Sequence, residues 1–291
     1  MIIRDGYRRA WLGTLWAWFA VTSCHDRSAS GSGASASAAA SAPAASGLPQ
    51  AAASDAPACP KDMLLVDGAY CPEVEQRCLE THPEDVEHEE ANQRCGSYAS
   101  PSVCLSSTRE LLRFCIDRYE WPNRAGEKPR VLTRWTDANE LCASVGKRLC
   151  ADREWTFACE GEQMLPYTYG FKRDPTRCVL DRLYVTPPAG ALTHWDECQR
   201  KPECLKALAH VDQREPSGSF KDCVSPFGVF DMNGNANEWV TVADGVYPHR
   251  GGLKGGWWGP VRDRCRPTVH FHREDDWGYE TGLRCCKDSS P

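Results

Sequence analysis

Seventeen cysteines are spread along these 291 residues, and they limit what the chain can become more than any other feature. Thiols at that density, without repeated CxxC pairs, suit a disulfide framework better than zinc sites. Such a framework forms outside the reducing cytosol, so export is expected. The formal net charge of -6 and the absence of any Lys/Arg block leave no basic footprint for nucleic acid, which is set aside as a partner.

The first residues agree with export. Arg4, Arg8 and Arg9 precede an apolar stretch over residues 11–20, and Val21-Thr22-Ser23-Cys24 follows. This resembles a bacterial lipoprotein signal over residues 1–24, in which Cys24 receives the lipid and becomes the new N-terminus. A membrane partner through that lipid, in the periplasm or at the outer surface, is the expected location. An ordinary cleaved signal and a twin-arginine signal at Arg8-Arg9 are the alternatives; the run is too short to span about 30 Å of hydrocarbon. Residues 25–57, mostly Ala, Ser, Gly and Pro, offer too little apolar side chain to offset ordering entropy and read as a flexible tether.

Folding is expected from residue 58 to 291. Met63-Leu64-Leu65-Val66 before Asp67-Gly68 reads as a strand and a turn, and Phe114 to Glu120 as another strand. Residues 72–110 read as an acidic insertion that needs disulfides through Cys78, Cys95 and Cys104, because it has little apolar surface of its own. Thr136 is expected to cap a helix reaching Val145, with Gly146 at its C-terminal end. A second helix is expected over residues 152–159. Beyond it no long periodic segment is predicted, only loops and short strands pinned by cross-links.

Four segments, in order, resemble the formylglycine-generating-enzyme (sulfatase-modifying factor) family: Met63 to Gly68; FCIDRYEWPN from Phe114; LCASVGKRLCADREWTFACEG from Leu141; and SPFGVFDMNGNANEWV from Ser225, followed by Leu253-Lys254-Gly255-Gly256-Trp257-Trp258 and Thr281-Gly282-Leu283-Arg284-Cys285-Cys286. The resemblance implies an irregular, disulfide-rich α+β domain of low secondary-structure content, related to the C-type lectin fold. Fold alone does not give activity.

The family's oxidases hold copper(I) between two cysteines five residues apart, soft ligands for a soft ion. Here the first falls on Pro260 and only the second is matched, by Cys265. One thiolate cannot reproduce that site, so copper or iron is not expected. Cys265 is catalytic only if another cysteine joins it; otherwise it is a structural half-cystine. If Cys24 carries lipid, 16 cysteines remain, enough for eight disulfides with none left over.

The loop from Asp231 to Glu238 is the calcium candidate. The resemblance implies calcium there, and Asp231, Glu238 and the carbonyls of Gly234 and Ala236 could supply the oxygen ligands that calcium prefers. The alternative is a plain Asn-Gly-Asn turn. His270 and His272, placed on one strand face by alternation, could bind iron or zinc with His249 and Glu274, or form an ordinary surface pair. Trp257, Trp258, Trp277 and Tyr279 are either core or a recognition groove, with Arg262, Arg264 and Arg266 as an anion-binding fringe.

Two functions follow. One is an envelope lipoprotein whose calcium-stabilised domain binds or assembles with an unidentified protein or small molecule. The other is an oxygen-dependent oxidoreductase of the formylglycine-generating type with a rebuilt metal site.

Overall fold

Two apolar runs build the first sheet. In the computed structural model, which describes residues 57–85, 94–188 and 201–290, β1 (Met63–Tyr70) lies antiparallel to β6 (Glu110–Asp117), with Met63 opposite Asp117 and Tyr70 opposite Glu110. Alternation along both strands sends Val66, Phe114 and Ile116 into one core with Trp155, Phe157, Met232 and Val240. The sheet is completed by β11 (Cys285–Asp288) and β7 (Arg148–Leu149), in the order β1-β6-β11-β7.

The insertion 72–110 contributes two ribbons, β2 (Val74–Glu75) with β5 (Val103–Cys104) and β3 (Cys78–Thr81) with β4 (Cys95–Tyr98). Each is cross-linked as its lack of apolar surface requires, by Cys71–Cys104 and Cys78–Cys95.

Helix α1 (Trp135–Ser144) begins one residue before the expected cap. Thr136 lies inside the first turn, and the helix is entered at Arg134, whose backbone N–H donates to the Asp137 carboxylate at 3.1 Å. Its end matches expectation: Gly146 has φ +70°, and the N–H groups of Gly146 and Lys147 donate to the carbonyls of Ala143 and Cys142. Helix α2 (Asp152–Glu160) places Trp155 and Phe157 in the core.

The expectation of no periodic segment beyond α2 is corrected by α3 (Pro202–Val211). Cys204, Ala207, Leu208 and Val211 fall on one helical face, and Pro202 occupies the first turn, where its missing N–H costs nothing. Cys204 and Leu208 pack on Val131, Leu132 and Ala236.

The second sheet is β10 (Thr281–Leu283), β8 (Asn237–Thr241) and β9 (Gly251–Lys254), with β8 central, parallel to β10 and antiparallel to β9. Trp239, Leu253 and Leu283 from these strands meet Trp135, Ala138 and Leu149 in a second core. Every described cysteine is disulfide-bonded. Cys59–Cys115, Cys142–Cys285, Cys150–Cys286, Cys159–Cys265 and Cys178–Cys223 complete the pairings made between described residues. So dense a set belongs in an oxidising compartment. No described helix is long and apolar enough to cross a membrane. Cys24 and residues 25–56 of the tether lie outside the described residues.

Candidate functional site

Beyond β9 the chain turns back on itself through two residues that must be glycine. Gly255 and Gly256 have φ of +83° and +78°, and a Cβ on Gly256 would lie 1.9 Å from Asp263 Oδ1. The segment that follows is thereby folded against its own later residues. Asp263 is fully buried and ion-paired with Arg173 at 2.6 Å, which anchors the return.

This excursion walls a cavity of about 430 Å3, lined by Gly255, Gly256, Trp257, Pro260, Arg262 and Arg264 on one side and by Val269, Phe271, His272 and Glu280 on another. A second hollow of about 600 Å3 shares Arg262, Arg264, Pro267, Val269 and Phe271 with it. Pro260, the position of the absent first thiolate, is thus in the cleft wall.

Cys265 lies behind that wall, wholly buried and joined to Cys159 of α2. A sulfur held in a disulfide is not a thiolate ligand. The residues present do not fit a copper ion held by two thiolates, because one position is proline and the other sulfur is bridged.

The three arginines of the fringe have different surroundings. Arg266 is committed to Glu160 through two contacts of 2.6 and 2.7 Å. Arg264 lies over the Tyr98 ring and donates to its hydroxyl at 2.7 Å, while its buried Nε has no partner among the described residues. Burial and the neighbouring Arg264 charge pull Arg262 below its ordinary value.

The aromatic residues divide as well. Trp258 is core, and Trp277 and Tyr279 pack on Val131 and Leu132. Trp257 lines the cleft and meets Tyr184 edge-on.

The two histidines are not on a strand face. Only Val269 forms a β-bridge there, to Leu253, so the assumed alternation ends before His270. His270 lines the outer hollow and His272 the inner one. His249 Nδ1 is 3.0 Å from the carbonyl of His272, and Glu274 is taken by Arg250 at 2.5 and 2.6 Å. Among the described residues no group of three His, Cys, Asp or Glu side chains is arranged to hold a metal ion.

The loop 231–238 is buried and bound into its surroundings. Asp231 and Asn235 have φ near +60°, and Asp231 accepts the Gly218 N–H at 2.6 Å. Asn235 donates to Glu120 at 2.7 Å. Glu238 accepts Arg284 at both oxygens, at 2.8 and 2.9 Å, and the Trp155 indole N–H at 2.6 Å. Three buried carboxylates, Glu120, Asp231 and Glu238, therefore surround one guanidinium. Burial, then the charges of Asp231 and Glu238, push Glu120 well above the carboxylate range; burial pushes Asp231 up to about 6.

A calcium ion fits that chemistry. Among the described residues no hydrogen bond reaches the carbonyl oxygens of Gly234 or Ala236, Glu238 Oε1 accepts only one, from Arg284, and the cluster carries excess negative charge. Sequence reasoning missed Glu120 and Arg284 as members of this cluster. Arg284 is the lone charge of the cysteine-rich motif TGLRCC, whereas Glu120 shares FCIDRYE with Asp117 and Arg118 and carries no such signal.

Comparison with known proteins gives this arrangement a context. The model of the sulfatase-modifying factor enzyme 1-like domain matches residues 111–289. Inactive C-alpha-formylglycine-generating enzyme 2 of Mus musculus is 26% identical over 174 residues, covering 56% of this chain and 50% of that protein. Its Bos taurus counterpart is 26% identical over 187 residues, 58% and 56% of the two chains. The chain thus spans about half the length of the curated relatives it matches. Among solved structures, PvdO from Pseudomonas aeruginosa aligns with a TM-score of 0.46 at 17% identity, covering 81% of this chain and all of that one.

Proposed function

The chain belongs to the sulfatase-modifying factor enzyme 1-like family, and from that premise we propose that it is an envelope lipoprotein whose domain binds a ligand in the cleft without oxidising thiols. The observation that supports this most is the pair Pro260 and Cys265: one thiolate position is a proline in the cleft wall, and the other sulfur is bridged to Cys159. The mouse and bovine relatives are themselves named inactive. Lipid on Cys24 and the tether over residues 25–57 would hold the domain near a membrane while leaving it free to reorient.

Mapping free thiols by mass spectrometry on the oxidatively folded chain tests the reading. The expected result is a Cys159–Cys265 peptide and no oxygen consumption with added copper. A reduced Cys265 together with stoichiometric copper overturns it in favour of an oxidase.

The proposal includes calcium on the loop 231–238, held by Asp231, Glu238 and the Gly234 and Ala236 carbonyls. At a hundredfold excess over its dissociation constant, a ligand that binds only the native state contributes about 2.7 kcal/mol. For a domain of this size, EGTA is then expected to lower the melting temperature by about 5 to 10 °C, with recovery on calcium and not on magnesium, which tolerates irregular carbonyl cages poorly. An unchanged melting temperature sinks the calcium.

A further inference from the structure

Two side chains in the wall of the inner cavity carry hydrogen-bonding groups that no neighbouring residue uses. Asn237 opens β8, and alternation along the strand turns its side chain away from the buried cluster that Glu238 enters. Its backbone N–H donates to the Glu280 carbonyl at 2.9 Å, which sets the two residues side by side at the cavity. Glu280 is folded back over the turn before β10: a Cβ at Gly278 would lie 2.4 Å from Glu280 Oε2, so only glycine leaves room for the carboxyl there. Among the described residues no hydrogen bond or ion pair from another residue reaches the Glu280 carboxyl, and none engages the Asn237 amide. Two other polar side chains of the same wall are committed elsewhere, Asp85 to Arg94 and Arg264 to the Tyr98 hydroxyl, each at 2.7 Å.

Trp257 supplies an aromatic surface in the same cavity. Its ring meets Trp258 edge-on at 5.2 Å and Tyr279 at 5.8 Å, and it lies so close to the chain that a Cβ at Gly259 would meet it at 2.4 Å. The indole is thus fixed before any ligand arrives, while remaining partly exposed. A cavity of about 430 Å3 with one pinned aromatic face and two unused polar groups suits a small ligand that has an apolar face and hydroxyl edges. The walls decide its charge. The guanidiniums of Arg262 and Arg264 oppose a cation, and Glu280 opposes an anion. Burial raises the Glu280 carboxyl, because no cation compensates it. A hydroxyl suits that carboxyl in either form, donating to the carboxylate or accepting from the acid.

We propose that the inner cavity binds a neutral saccharide, whose apolar ring face covers Trp257 and whose hydroxyl groups are held by the Asn237 amide and the Glu280 carboxyl. Burying the ring face on the indole supplies affinity, and the two polar groups fix the orientation of the sugar. The proposal rests on the reading of the cleft as a binding site and names its ligand class.

The test is to probe an array of neutral, acidic and amino saccharides with the oxidatively folded chain, and to titrate the best neutral binder calorimetrically. Saturable binding of a neutral saccharide is expected, unchanged when salt is raised from roughly 50 to 500 mM. Replacing the bound hydroxyls of the sugar by hydrogen, one at a time, is expected to weaken at least one analogue by about tenfold or more, because the protein group is left unpaired. Glu280→Ala and Asn237→Ala are each expected to cost about tenfold, whereas Glu280→Gln, which still donates and accepts, costs less than about threefold. The deoxy series uses the parent protein, so it decides the matter even where a variant fails to fold. No saturable binding of a neutral saccharide, binding confined to acidic ones, or deoxy analogues that all bind as tightly as the intact sugar overturns the inference. A reduced Cys265 in the same sample would instead overturn the reading beneath it, so the two failures are distinguishable.

Discussion

Replacing Cys159 and Cys265 together by alanine is expected to lower the unfolding free energy by about 3.5 kcal/mol, read from denaturant unfolding under oxidising conditions. The two residues are 106 apart in sequence, and for an isolated cross-link closing such a loop the chain-entropy relation gives about 4.8 kcal/mol. The cross-link is not isolated. With Cys150–Cys286 intact, an unfolded chain connects Cys159 to Cys265 by nine residues back to Cys150 and 21 from Cys286 back to Cys265, a loop of about 30 residues worth about 3.6 kcal/mol. Removing both Cys150–Cys286 and Cys142–Cys285 first, which together keep that loop short, should therefore enlarge the effect of removing Cys159–Cys265. A working thiolate at Cys265 makes the opposite forecast: little change in stability and a complete loss of turnover. A double variant as stable as the parent would sink the structural role.

Where local chemistry decides structure, the sequence was legible. The runs Met63 to Val66 and Phe114 to Ile116 pair as strands because both are apolar and bounded by turn or charged residues, and Gly146 ends α1 because the left-handed position after a helix favours glycine. Thr136 misled because the Asp137 carboxylate reaches the Arg134 N–H, so that the helix is entered ahead of the threonine. Helix α3 was readable from its spacing and from Pro202, but it sits among polar residues that look like loop. The cleft was only half legible. Pro260, Cys265 and the arginine row could be named from their order, whereas the partner of each depends on residues far away in sequence: Arg173 for Asp263, Glu160 for Arg266, Tyr98 for Arg264. Spacing carries no information about such pairs. The same holds for Glu238, whose two oxygens meet Arg284 across 46 positions.

That last pair carries the largest expected effect of a single substitution. Arg284 has no exposed surface and Glu238 almost none. The guanidinium donates to both Glu238 oxygens and also to the carbonyls of Asp117 and Phe230, at 3.1 and 2.8 Å. It thereby joins β6, β8 and Phe230, the residue that leads into the loop 231–238. Arg284→Met keeps an unbranched side chain of similar reach and removes every one of these donors. Glu238 retains the Trp155 indole, but three buried carboxylates then face one another with no guanidinium among them. Breaking a buried pair on one side typically costs about 3 to 5 kcal/mol, and the stranded carbonyls place this site at the upper end. Adding Glu238→Gln to the Arg284→Met variant removes the uncompensated charge. The double variant is therefore expected to be more stable than Arg284→Met alone, by about 1 to 3 kcal/mol of coupling. Denaturant midpoints for the parent, both single variants and the double variant complete the cycle. Additive losses would mean that the two groups do not act as a pair, and that the loop is held by something other than Arg284.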